Sequence, residues 1–484
     1  MKKQSLLADI TQSINRVKNL IGHEKKTMTF SNNEVIHYPL FFSEEIAPTI
    51  SDEYMDSCAT AIGLTSYKLL NSEEEDKSVV NKTIRGILKM QNQDKSWSSV
   101  MYQGQNANQE KQLDGIIHET CFALNALIAC SFLDKTYLYD TNVLSEFGIN
   151  DLKGRINFVI ESVKWLDKYK EDNGWFYTTT ERFTETNSIL PAASPTLKVI
   201  NALYLITNKL QSTDIQINVD VQQDDVDLVK NLIKNAIDAL FDMQKTSGGF
   251  SKKRGDFESI TQTSNALITL LQLDTTYIKT EYEPKIELSI KWFLSKVKNI
   301  YDNDKIDDAD FIDEYFQIIA EGGQTLKRPI GHETHIDTHT FCALLKISQS
   351  KKYLKSLSFF DKIKLYYHLK KCLHHVLELQ NENGQYSGAF ESRRSTPSQK
   401  YPIYSTYHAI VGLKSIQTDF ENFYKSYSTI AKYYSRLSIL LFSVIIFVFV
   451  LIFGSETSKW VVFLLGVAAN IMAQPVIKKV DFTL

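Results

Sequence analysis

Six copies of one helical pair leave a chain few ways to fold. The unit is clearest from Ile84 to Leu127. An apolar-periodic helix ends there in Gln91-x-x-Asp94-x-Ser96-Trp97, a long polar loop follows, and a second helix opens at Thr120 and runs through Ala123, Leu124, Ala126 and Leu127. The first half recurs as Tyr169-x-x-Asp172-Asn173-Gly174-Trp175, Gln244-x-x-Ser247-Gly248-Gly249-Phe250 and Gln380-x-x-Asn383-Gly384-Gln385-Tyr386, each closing a helix-period segment. The second half recurs near Ser57, Thr196, Thr263, Thr340 and Thr406, so the six starts lie 63 to 77 residues apart. A hairpin of this size cannot bury its apolar stripe alone, and stacked neighbours supply the missing surface. A length of 484 residues would ordinarily suggest two or three domains. The repeats instead read as one all-α unit of six hairpins over residues 1–430.

The Gln-x-x-Asp/Gly-Gly-Ser-Trp/Phe ending of an outer helix, with an inner helix one loop later, resembles the repeat of the terpenoid cyclase and protein prenyltransferase superfamily. The resemblance covers roughly residues 10–425. It implies an (α/α)6 toroid whose inner helices line a central cavity, with the Gln/aromatic pair acting as a clamp between neighbouring outer helices. The fifth outer helix, around Ile286 to Ile300, lacks the Gln/aromatic ending and marks the most divergent repeat.

Charge excludes one large class of function. With 54 basic and 57 acidic residues the net charge is −3, which creates no field for nucleic acid. Five cysteines (Cys58, Cys121, Cys130, Cys342 and Cys372) form no C-x-x-C pair and argue against a disulfide scaffold and for a reducing compartment. The N-terminus has a basic start but no long apolar core, so no signal peptide is read. Beyond the repeats, Leu437–Phe453 and Trp460–Ile477 are uncharged runs, near the lower length that crosses a bilayer core. They predict a transmembrane hairpin over 437–477, with 478–484 as a short tail. Lys425, Lys432, Arg436, Lys478 and Lys479 flank it, which by the positive-inside rule puts the toroid and both termini in the cytoplasm. Gly466, Ala468, Ala469 and Ala473 would allow close helix approach, and Asn470 and Gln474, four apart on one face, offer hydrogen bonds for packing within the hairpin or for a homo-oligomer contact through the second span.

Candidate chemistry concentrates before the fifth inner helix, in EGGQTLKRPIGHETHIDTHTF, which carries His332, Glu333, His335, Asp337 and His339. The resemblance implies two roles for it. Class II terpene cyclases place Asp-x-Asp-Asp-Thr at such a start, the middle Asp protonating an alkene. On that pattern Asp337 is the acid and His335 replaces its first partner. Protein prenyltransferase β subunits bind zinc there through Asp-x-Cys and a later His. Asp337-x-His339 matches the first pair, Ser405 or Thr406 occupies the place of the later His, and His335 or the His118–Glu119 pair would complete the set. Zinc or another divalent metal is thus one expectation, a metal-free acid–base site a second, and a polar ligand-binding lining a third. Arg254, beside Lys252 and Lys253, and Arg393 and Arg394 occupy corresponding loops at one rim and could hold an anion. Two functions remain open. One is a membrane-tethered enzyme acting on a hydrophobic, isoprenoid-like substrate in the central cavity. The other is a non-catalytic toroid that binds a small molecule or peptide and signals through the spans.

Overall fold

The computed structural model describes residues 3–23, 26–29, 35–38, 54–71, 76–98, 100–102, 115–134, 141–171, 174–175, 191–212, 222–297, 315–319, 325–329, 336–384, 387–391 and 403–426, with isolated positions 215, 428, 443–444 and 448. Twelve helices carry the architecture. The outer ones are α1 (Lys3–His23), α3 (Lys77–Lys89), α5 (Leu152–Lys168), α7 (Gln223–Phe241), α9 (Glu283–Lys296) and α11 (Phe359–Glu378). The inner ones are α2 (Ser57–Leu70), α4 (Ile117–Ala129), α6 (Ala193–Leu210), α8 (Ile260–Leu270), α10 (Ile336–Gln349) and α12 (Ile403–Thr418). Burial separates the two sets: eleven of the fourteen residues of α2 are buried, against six of the thirteen in α3. Outer helices show one apolar stripe, such as Val80, Ile84, Ile87 and Leu88 of α3. Inner helices are packed on nearly every side and are rich in small residues that allow close approach. At Gly412 of α12 an added Cβ would lie 2.3 Å from the ring of Phe341 on α10.

The inner helices form a closed ring. α2 packs on α4, α4 on α6, α6 on α8, α8 on α10, α10 on α12, and α12 returns to α2, while α1 meets α11 and α12. This is the expected all-α toroid. Three two-stranded antiparallel ribbons decorate its loops: β1 (Lys26–Thr29) with β2 (Val35–Tyr38), β3 (Tyr54–Asp56) with β4 (Val100–Tyr102), and β5 (Tyr315–Ile319) with β6 (Thr325–Pro329).

The clamps are more specific than the sequence pattern suggested. The Trp97 indole donates to the Ile87 carbonyl at 2.7 Å and its backbone N–H to the Thr120 hydroxyl at 3.0 Å. Trp175 repeats both bonds with Leu166 and Thr196. Phe250 and Phe390 give their N–H to Thr263 and Thr406. Each threonine is therefore the fourth residue of its inner helix rather than the first, and its hydroxyl ties the outer-helix exit to the inner helix. In the sixth hairpin Phe390 sits at the clamp, bridged to Gln380, four residues further from its glutamine than Trp97 is from Gln91, and Tyr386 lies outside the described residues. The Gln91 and Gln244 amides reach the next outer helix at Ser162 and Ser289.

Gln380 closes the circle by donating to the Ser13 carbonyl of α1 at 2.9 Å, and Arg16 of α1 meets Glu382 at 3.0 Å. Gly388 lies against that seam with φ +101°, where an added Cβ would meet the Arg16 carbonyl at 2.5 Å. Gly388→Ala should destabilise the protein by about 1–3 kcal/mol through left-handed strain and this contact. A urea midpoint unchanged from wild type would refute the close fit at the seam.

One expectation is corrected. Among the described residues no helix is long and apolar enough to cross a membrane, which overturns the two-pass placement with a cytoplasmic toroid and termini. Apart from Ser443, Val444 and Val448, residues 437–477 lie outside the described residues, as do 478–484, and with them the proposed oligomer face at Asn470 and Gln474. A span needs about 20 residues of continuous helix, and an apolar run in the sequence does not by itself supply one.

Candidate functional site

All six inner helices run parallel around the axis, so their first turns meet at one end. Side chains lean towards a helix N-terminus, so opening residues of neighbouring inner helices can meet at that end. The second residues of the six are Cys58, His118, Ser194, Thr261, Asp337 and Tyr404. Three of them converge. Cys58 Sγ and Tyr404 Oη lie 2.7 Å apart, and the His118 and Tyr404 rings are 6.4 Å apart between centroids. Glu119 joins them from α4: one ligand atom each from Cys58, His118 and Glu119 falls within 4.8 Å of the others.

The surroundings fix these side chains. Ser57, the first residue of α2, lies 2.8 Å from Glu119 Oε2 and 2.7 Å from the Ser98 carbonyl. Phe122, one turn along α4, sets its ring against His118 at 4.8 Å and against Tyr404 at 5.8 Å, both edge-on. The Lys198 ammonium of α6 stands 4.7 Å over the Phe122 ring. The result is an aromatic wall with a thiol, an imidazole, a carboxylate and an ammonium at its edge. Cys121, next in sequence to this group, faces the core. Burial pushes its thiol far above the usual range, with Lys198 only partly opposing, so it stays protonated and inert.

The cluster before the fifth inner helix is arranged differently. Asp337 and His339 lie on helical backbone two residues apart and so point to opposite sides of α10. Asp337 is buried against the outer helix α11, its Oδ1 3.0 Å from His375 Nε2. The His339 ring lies against that of His408 of α12, with centroids 3.7 Å apart and planes tilted by 54°, beside Cys342, which donates to the His408 carbonyl. Burial lifts the Cys342 thiol to about 12. The structure thus brings Asp337 to His375 rather than to His339. His332, Glu333 and His335 lie outside the described residues, as do Arg393 and Arg394. Arg254 is exposed on the turn after Lys253, and the Lys252 carbonyl accepts from the first N–H of α6. That places the basic turn at the rim between the third and fourth hairpins.

Sequence reasoning reached His118 and Glu119 only as a pair that would complete the metal set implied by the resemblance. It missed Cys58, Tyr404 and Lys198, whose partners lie far away in the chain. The available signal was the shared register: aligning Thr60, Thr120 and Thr406, the fourth residues of their inner helices, puts Cys58, His118 and Tyr404 in one column.

Comparison with known proteins agrees with the ring. A model of the prenyltransferase α/α toroid domain matches residues 36–185, 199–299 and 347–438. No curated protein sequence matches the chain. Among solved structures, a D-mannose isomerase superposes with a TM-score of 0.51 at 13% identity, over 86% of this chain and 98% of that one. A sugar epimerase from a ruminal bacterium superposes at 0.50 and 11% identity, over 87% and 99%. At these identities the likeness is one of fold alone. The matched segments cover most of the chain, which belongs to the prenyltransferase α/α toroid domain family.

Proposed function

We propose that this toroid is an enzyme that takes an apolar, isoprenoid-like substrate into the mouth formed by α2, α4, α6 and α12 and transforms it at Cys58, His118 and Glu119. The observation that carries this reading is the pairing of an aromatic wall with a small convergent polar group: Phe122, Tyr404 and the His118 ring beside a thiol and a carboxylate within 4.8 Å. Ligand sites are mostly apolar with a few placed polar groups, and aromatic faces stabilise cationic character in a bound chain. The Lys198 ammonium beside Phe122, with the basic turn at Arg254, suits an anionic head such as a diphosphate.

Equilibrium binding of farnesyl diphosphate, farnesol, inorganic pyrophosphate and D-mannose tests the reading. Farnesyl diphosphate should bind best and farnesol next. Phe122→Ala should weaken both by about tenfold to a hundredfold, since burying a phenyl-sized surface is worth about 1.5–3 kcal/mol. Lys198→Ala should erase the preference for the diphosphate over the alcohol. Saturable mannose binding with no isoprenoid binding would overturn the substrate class. Stoichiometric farnesyl diphosphate recovered unchanged after long incubation would make the toroid a binding module instead.

A further inference from the structure

We propose that Cys58, His118 and Glu119 together hold a zinc-type divalent cation at the toroid mouth. This deepens the proposed function by giving that site its cofactor, and it rests on that reading only for what the open coordination position faces. Three features of the site lead to it. The donors come from two adjacent inner helices in ring contact, so the metal would bridge rigid elements rather than loops. The set of one thiol, one imidazole and one carboxylate is the mixed S/N/O set that suits zinc and leaves a fourth position open, and it suits magnesium or calcium poorly. The present span of 4.8 Å exceeds the roughly 3.3–3.8 Å between ligand atoms implied by metal–ligand distances of about 2.0–2.3 Å. Closing that gap would take a movement of the ligand atoms of about 1 Å.

The second layer matches. Ser57 carries one hydroxyl proton and lies near two acceptors, the Ser98 carbonyl and Glu119 Oε2. With Glu119 ionised, the hydroxyl can orient Oε2 and leave Oε1 to the metal. Tyr404 Oη at 2.7 Å from Cys58 Sγ can donate to a thiolate, and the edge of Phe122 holds the His118 ring in place. Outer partners of this kind orient metal ligands and are felt in affinity by about tenfold to a hundredfold. Loading is a simple exchange: the Cys58 thiol gives its proton to solvent as the metal–sulfur bond forms, and nothing is oxidised or reduced.

The test uses the full-length chain stripped with a chelator and titrated with cobalt(II) and then zinc. Wild type should bind one equivalent of cobalt, with a sulfur-to-cobalt charge-transfer band that one equivalent of zinc abolishes. Cys58→Ser should lose the band, and Cys121→Ala should keep it. Glu119→Gln and His118→Asn should each weaken cobalt binding by at least about a hundredfold, while Ser57→Ala should weaken it about tenfold. Circular dichroism of each variant verifies folding, and His118→Asn decides the matter if Cys58→Ser does not fold. Absence of the band in wild type, its survival in folded Cys58→Ser, or undiminished affinity in folded His118→Asn would overturn the inference. None of these readouts uses an organic ligand, so failure of isoprenoid binding with an intact cobalt band refutes the proposed substrate and not the metal.

Discussion

Trp97→Ala should lower the unfolding free energy by about 3–5 kcal/mol, the range for removing a large buried aromatic. Trp97 is fully buried, meets Phe158 edge-on at 6.1 Å, and spends its indole N–H on the Ile87 carbonyl at the end of α3. Truncation therefore removes packing between two outer helices and leaves a buried carbonyl without its donor. Its backbone bond to Thr120 survives, so the outer-helix exit stays tied to the inner helix and the loss is mainly the cavity. Trp97→Phe separates the terms. It keeps most of the ring and loses only the donor, for about 1 kcal/mol. Trp175, which makes the same contacts one hairpin on, should behave alike. Urea unfolding followed by circular dichroism measures both. A loss below about 1 kcal/mol for Trp97→Ala would show that the clamp is not what holds the seam.

The second large effect is expected at Asp337→Ala. Its carboxylate and the His375 ring are both almost inaccessible to solvent and lie 3.0 Å apart between α10 and α11. Removing one partner strands the other in the core. The loss is about 3–5 kcal/mol if the pair is ionic, and about 1–3 kcal/mol if it is a neutral hydrogen bond. Asp337→Asn keeps shape and an acceptor and should cost less. Replacing both partners by apolar residues, as in Asp337→Leu with His375→Phe, should be milder than Asp337→Ala alone. The sequence context of Asp337 suggests a site residue whose change spares stability, whereas its position predicts a stability defect. Wild-type stability in Asp337→Ala would refute the structural role.

What could be read in advance follows from which interactions are local. The hairpins were legible because an apolar stripe and a helix-terminal Gln/aromatic recur within tens of residues. The offset of three at the inner-helix starts was not, because Thr120, Thr196, Thr263 and Thr406 look like caps and act as acceptors one turn inside. The Asp337 cluster drew attention by density, but density along a chain does not define a site on a helix, where neighbours two apart diverge. Cys58 gave no local sign. Its partners are Tyr404, 346 positions on, and His118 and Glu119 in the next repeat, and only closure of the ring brings the first hairpin to the last.

That closure sets this protein apart from open stacks of repeats. In a linear array the end units have one neighbour each and need polar caps, and stability grows with each unit added. Here Lys3 at the start of α1 bonds Glu421 beyond α12, and Gln380 grips Ser13, so each hairpin has two neighbours and none is terminal. Deleting a hairpin would not shorten such a structure by one unit. It would leave two unmatched faces and a gap in the ring. Joining the present ends and cutting the chain in another interhelical loop, by contrast, would preserve every interface. The order in which the six hairpins are written is therefore a matter of ancestry and synthesis, while the energetics recognise only a circle.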